Sequence, residues 1–312
     1  SAKSIQFLSS SKFENPVLYD NSFAVSHLGR VSLLGKSVAM SGSVLVVGAS
    51  GTEDTSGNPI GSVFIYEHDG INYKQVKQLY VEENPGEVRE FGASVDISGS
   101  YIAVSDHNND GQVYVFKNDS ESWSDFGTSG NNAIAASNDA GEAGAGNWYN
   151  LTRPSGISSN SWGHKIKFHK NKLYVSRPSS ATGSIHVHTL SGANTWAESA
   201  DKEIHRPSIT DCVHPSPGSL GHYFDIEGEY LIATTSDGSA STTANAITYC
   251  FKYNDVSGQF DAHSILSASA GNHRAFYSCG FRLEIYRLAY CKLPDSRTNI
   301  EVGNIQSVLD GD

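Results

Sequence analysis

Three carboxylates of this 312-residue chain share one local setting. Asp96, Asp225 and Glu284 each stand four residues after a glycine (Gly92, Gly221, Gly280), with apolar residues on both sides: Val95-Asp96-Ile97, Phe224-Asp225-Ile226 and Leu283-Glu284-Ile285. Alternation of this kind puts the carboxylates on the polar face of strands whose other face is core. Two carboxyls at a suitable separation are what glycosidic cleavage needs, one as acid and one as nucleophile or base. The three are therefore candidate catalytic groups, provided their strands converge. The alternative is a polar lining of water-filled space. Lys167 occupies the same offset from Gly163 and would neutralise part of the cluster, while Ala39, at that offset from Gly35, brings no charge.

Seven of the twelve histidines lie between Trp162 and His222, and His186 and His188 sit two apart. On a strand that spacing puts both imidazoles on one face, where they can hold zinc or copper if a third ligand joins them. Otherwise they are surface or hydrogen-bonded strand histidines. The four cysteines all fall in the last third and none forms a C-x-x-C pair. A hairpin turning near residues 284–287 would set Cys279 almost opposite Cys291, as a disulfide or as two reduced core thiols. Cys212 and Cys250 have no partner that spacing can name. Trp148 and Tyr149, beside the Asn150-Leu-Thr sequon, stand outside any repeated pattern and are the aromatic candidates for ligand binding. No Gly-x-Ser-x-Gly elbow, phosphate loop, His-Glu-x-x-His or dinucleotide fingerprint occurs.

The elements that must position these residues are strands. In Phe91–Lys117, FGASVDISGSYIAVSDHNNDGQVYVFK, two-residue alternation marks strands over 93–98, 101–105 and 112–117, with turns at Gly99 and at Asn-Asn-Asp-Gly. Worn copies start at Gly35, Gly163, Gly221 and, degenerately, Gly280, in steps of 57, 71, 58 and 59 residues. Third strands follow at 62–67, 184–189, 246–253 and 299–305. An aromatic residue (Tyr73, Trp123, Trp196, Phe260) then marks where a fourth strand begins. The fifth copy runs out before its aromatic, but Ser11-Lys-Phe13 resembles Gly258-Gln-Phe260, so residues 1–20 complete it. Radial repetition of four-stranded units, which leaves only short protected edges, is a β-propeller. The expectation is one all-β domain over 1–312, five blades closed by the N-terminal strand, with six blades the alternative. The Gly/Ala/Ser/Asn-rich stretch 127–161 is expected to be a long loop between the second and third blades.

The repeat resembles the FG-GAP repeat of integrin-α-type propellers. Phe91-Gly92 supplies the Phe-Gly, with Leu34-Gly35, Trp162-Gly163 and Leu220-Gly221 as variants and Gly48-Ala49-Ser50 in place of Gly-Ala-Pro. The family's calcium loops have the form Asp-x-Asp-x-Asp-Gly-x-x-Asp. Asp106, Asn108 and Asp110, followed by Gly111, match the first six positions, whereas the ninth is Tyr114. The resemblance thus implies either a calcium site on alternate oxygen ligands or an Asx-rich turn. Five-bladed glycoside hydrolases similarly present three carboxylates near the channel mouth, which is how Asp96, Asp225 and Glu284 would act together.

Composition narrows the class. Thirty glycines, one methionine and 18% charged residues suit a loop-rich β protein. A net charge of −11 with no Lys/Arg cluster to offset it disfavours nucleic acid, and no run approaches the roughly 18 apolar residues a membrane helix needs. The expected function is a non-catalytic binding or assembly module, extracellular or on a particle or virion surface. Its partner would be a protein or glycan, with oligomeric assembly open. Glycoside hydrolysis and calcium-dependent adhesion are the alternatives.

Overall fold

The computed structural model describes residues 33–53, 57–82, 90–106, 111–118, 122–123, 133–135, 148–151, 162–178, 183–190, 196–207, 219–236 and 247–267. The chain divides into two compact units, Ser1–Ser179 with Gly183–His205, and Ser180–Thr182 with Arg206–Asp312.

Among the described residues the first unit holds three sheets. Sheet one runs β1 (Leu34–Ser41), β2 (Val44–Ala49), β3 (Ser62–His68) and β4 (Tyr73–Glu82) as an antiparallel meander. Sheet two has β5 (Ser94–Ser98), β6 (Tyr101–Asp106) and β7 (Gln112–Lys117). Two short strands lie in the region expected to be a loop. β8 (Ala133–Ala135) adds parallel to the outer edge of β4, and β9 (Trp148–Asn150) closes sheet two against β7. Sheet three is β10 (Ile166–His169), β11 (Lys172–Arg177), β12 (Ser184–Leu190) and β13 (Trp196–His205). The second unit's sheet is β14 (Ser219–Glu227), β15 (Tyr230–Ser236), β16 (Ile247–Asn254) and β17 (Gln259–Ser267). The described residues are all-β, built from antiparallel four-stranded sheets, one of them extended by β8. The proposed fifth unit, residues 280–312 with 1–20, lies outside the described residues.

The core of the first unit sits in seams between sheets. One seam joins Val46, Val63, Ile65 and Leu79 of sheet one to Phe91, Val95, Ile97, Tyr114 and Phe116 of sheet two. The next joins Ala103, Val113, Val115, Tyr149 and Leu151 to Trp162, Ile166, Leu173 and Val175. Alternation explains both. In β7, Val113 and Val115 fill one seam while Tyr114 and Phe116 fill the other.

Register aligns the repeats residue by residue. The third strands carry aromatic pairs opposite the same second-strand positions: Phe64 and Tyr66 face Val47 and Leu45, and Tyr114 and Phe116 face Val104 and Ile102. In the second unit Tyr249 and Phe251 face Ala233 and Leu231. In sheet three the equivalent pair, opposite Val175 and Leu173, is His186 and His188.

Trp123 corrects one expectation. It does not begin a fourth strand; its ring is buried in the first seam. Glu67 of β3 holds it there, accepting the Trp123 N–H at 2.6 Å and the Ser122 hydroxyl at 2.8 Å. Tertiary demand for a plug overrides local strand preference here, and the outermost strand forms 25 residues later at Trp148.

Candidate functional site

The inner strands of the first unit are tied by side chains two and four residues after the repeat glycine. Ser37 donates its hydroxyl to the Gly92 carbonyl at 2.8 Å. Ser94 Oγ accepts the Ile166 N–H at 3.2 Å, and Asp96 Oδ2 accepts the Phe168 N–H at 2.6 Å. These bonds run from β1 to the start of β5 and from β5 to β10, so polar side chains of β1 and β5 hold the first strand of the following sheet.

Asp96 is only 5% exposed, and its second oxygen lies 3.7 Å from the Lys167 ammonium. Burial pushes its carboxyl above the ordinary carboxylate range, while Lys167 and the Phe168 and Ile97 amides pull the other way. A raised native value means the folded protein takes up this proton more readily than the unfolded chain. This group alone therefore favours the fold at low pH and loses that advantage as pH rises through its native value. Asp96→Asn keeps the acceptor for Phe168 and removes the buried charge, so urea melts at pH 7 should shift by less than about 1 kcal/mol. Asp96→Ala strands the Phe168 N–H and should cost about 1–3 kcal/mol.

Asp225 is half-buried on β14 of the second unit, with Oδ1 accepting the adjacent Ile226 N–H at 2.9 Å. Glu284 lies outside the described residues, as do Cys212, Cys279 and Cys291. Cys250 is a buried free thiol, its pKa raised by burial. Asp106, at the end of β6, is fully buried and its Oδ1 accepts the Glu90 N–H at 2.9 Å. Asn108 and Asp110 lie outside the described residues. Tyr149 was expected as a ligand-binding aromatic. It is instead a core residue, because β9 pairs with β7 and turns its ring into the second seam. The backbone of Trp148 pairs opposite Phe116.

His186 and His188 share a face, as their spacing implies, and that face is interior. They are 2% and 1% exposed and stand edge-on to Trp162, with ring centroids 5.1 and 5.5 Å away. Among the described residues no group of three or more His, Cys, Asp or Glu side chains could hold a metal ion.

Sequence reasoning missed the Ser37 and Ser94 ties and the Glu67 clasp. The serines had a signal, a polar residue two after the repeat glycine. Glu67 had none, since its partners are more than fifty residues away in sequence.

The first three strands of sheet one decide what this repeat is. Residues 33–66 match the FG-GAP repeat. The matched FG-GAP segment spans β1, β2 and most of β3, and Phe91-Gly92 opens the next sheet. A comparison with curated proteins finds no match. A solved structure of an exo-beta-1,3-galactanase from Phanerochaete chrysosporium with galactose is similar over 77% of this chain and 67% of its own, at 11% identity and a TM-score of 0.37. At that level neither fold nor activity is carried over to this chain.

Proposed function

We propose that this chain is a non-catalytic binding and assembly module, a β-propeller of FG-GAP-type blades whose loops hold a protein or glycan partner, extracellularly or on a particle surface. Asp96 is what most supports it. This candidate catalytic carboxylate is buried, spends one oxygen on the Phe168 amide and the other toward Lys167, and so serves the joint between strands. A glycosidase needs carboxyls open to the sugar. Asp106 is likewise committed to the Glu90 amide, which leaves calcium-dependent adhesion with less support.

The propeller has five blades, closed by residues 280–312 together with 1–20. The support is a row on β1: Leu34, Val38 and Met40 are exposed, Val38 by 60% and Met40 by 63%. Their repeat equivalents, Phe91, Val95 and Ile97, are buried in the first seam. An apolar row of this kind calls for a covering sheet.

The functional test is a glycan array run beside a hydrolysis panel, with wild type and Asp96→Asn. The expected result is no turnover by either protein and the same binding profile for both. Turnover by wild type that vanishes in Asp96→Asn, with unchanged melting, overturns the proposal in favour of a glycosidase.

A further inference from the structure

The aromatic pair of the third strand is tyrosine and phenylalanine in three of the four described sheets, and histidine in sheet three. Phe91 lies edge-on to Tyr114 and Phe116 with centroids 5.6 and 6.4 Å away, and Trp162 repeats this over His186 and His188. The histidines therefore do the packing of an aromatic pair. Unlike one, they can acquire charge, which burial in the seam disfavours.

Their surroundings are unequal. His186 Nε2 lies 3.1 Å from Glu203 Oε1 and 3.0 Å from Ser184 Oγ. Both ring nitrogens of His188 are buried and have no hydrogen-bond partner among the described residues. Glu203 and His205 of β13 and Arg177 of β11 act electrostatically on His186, and His186 acts on His188, while Glu198 of β13 is the register partner of His188. β10 contributes Ile166 and Phe168 to the seam, and sheet two contributes Ala103, Val113, Val115, Tyr149, Leu151 and Tyr101, in which the tyrosines are the ionisable side chains. Among the described side chains Glu203 offers the near counter-charge, and it serves His186; His205 lies 3.4 Å from its other oxygen.

We infer that protonation of His186 and His188 releases β12 and β13 from the seam, so that sheet three opens in acid while sheet two, with its Tyr114–Phe116 pair, stays closed. Burial holds the His186 pKa down to about 4 and the His188 pKa down to about 3, against an ordinary value of 6.5. The open state thus binds more protons than the closed one between about pH 6.5 and those values. The closed state is fully favoured above that window and loses ground as pH falls through it. Each histidine can shift the balance up to about tenfold per pH unit there. This goes beyond the binding proposal and stands without it.

Hydrogen exchange on the full chain at pH 7.5 and 5.0, corrected for intrinsic exchange rates, tests the device. The β12 and β13 amides should lose protection by at least about tenfold more than those of β6 and β7. The double variant His186→Tyr/His188→Phe, which copies the pair of sheet two, should remove the difference. If that variant does not fold, His188→Phe alone should reduce it. Equal acid sensitivity of the two sheets in wild type, or an acid loss that persists undiminished in a folded variant, overturns the inference.

Discussion

Gly92→Ala should lower stability by at least about 3 kcal/mol, read as a drop in the urea midpoint with an unchanged slope. Two costs combine. Gly92 has φ +90°, a left-handed conformation that costs an L residue roughly 1–2 kcal/mol. A Cβ there would also stand 2.6 Å from the Ser62 carbonyl oxygen and 3.1 Å from Val63 Cγ2. Neither neighbour is free to retreat, since Ser62 pairs with Ala49 in the sheet and Val63 is buried in the first seam. The control is Gly99→Ala. Its φ of +56° carries the conformational cost, but nothing lies within 4 Å of the added methyl, so the loss should stay near 1–2 kcal/mol. The difference measures how tightly the Phe-Gly step is pressed against the preceding sheet.

Trp162→Ala should cost about 3–5 kcal/mol in the same assay. Trp162 is among the largest fully buried side chains, and its ring joins Val115, Tyr149 and Ile166 in the second seam while covering both histidines. Removing it leaves a cavity lined by atoms that cannot collapse without moving β10 or β12. Trp162→Phe copies Phe91 at the equivalent position and deletes an indole N–H that has no acceptor among the described residues. It should hold the loss below about 1.5 kcal/mol. A large loss in both variants would mean that the seam needs the indole itself.

The strands were legible where alternation and β-branched filling coincide. β7 occupies Gln112–Lys117 as its pattern implies, and β3, β12 and β16 fall within about a residue of expectation. β8 and β9 were not legible, because three-residue strands in a Gly/Ala/Ser-rich stretch have no period to read, and their pairing is imposed by open edges of β4 and β7. Trp123 misled for a related reason: its aromatic character suits a strand equally well, and its placement is decided by Glu67 from another sheet.

The candidate site was legible as a position and not as a role. Spacing from the repeat glycine singled out Asp96, but what that carboxylate does depends on the Phe168 amide 72 residues later in the chain. For His186 and His188 the two-residue spacing gave the shared face. Their standing as the aromatic pair of sheet three required register, because loops of different length shift the pair's offset from the repeat glycine between copies.

The central claim, a ring of FG-GAP-type blades closed over its own first strand, is tested most directly at the chain's single methionine. Met40 lies in the row with Leu34 and Val38, with the Tyr73 hydroxyl 3.3 Å from its sulfur. Peroxide oxidation followed by intact mass gives its rate in the native protein and in the same protein unfolded in urea. Closure predicts oxidation at least about tenfold slower in the native state, since a covering blade excludes peroxide as it does water. Equal rates would show that β1 keeps its outer face open and would contradict the ring.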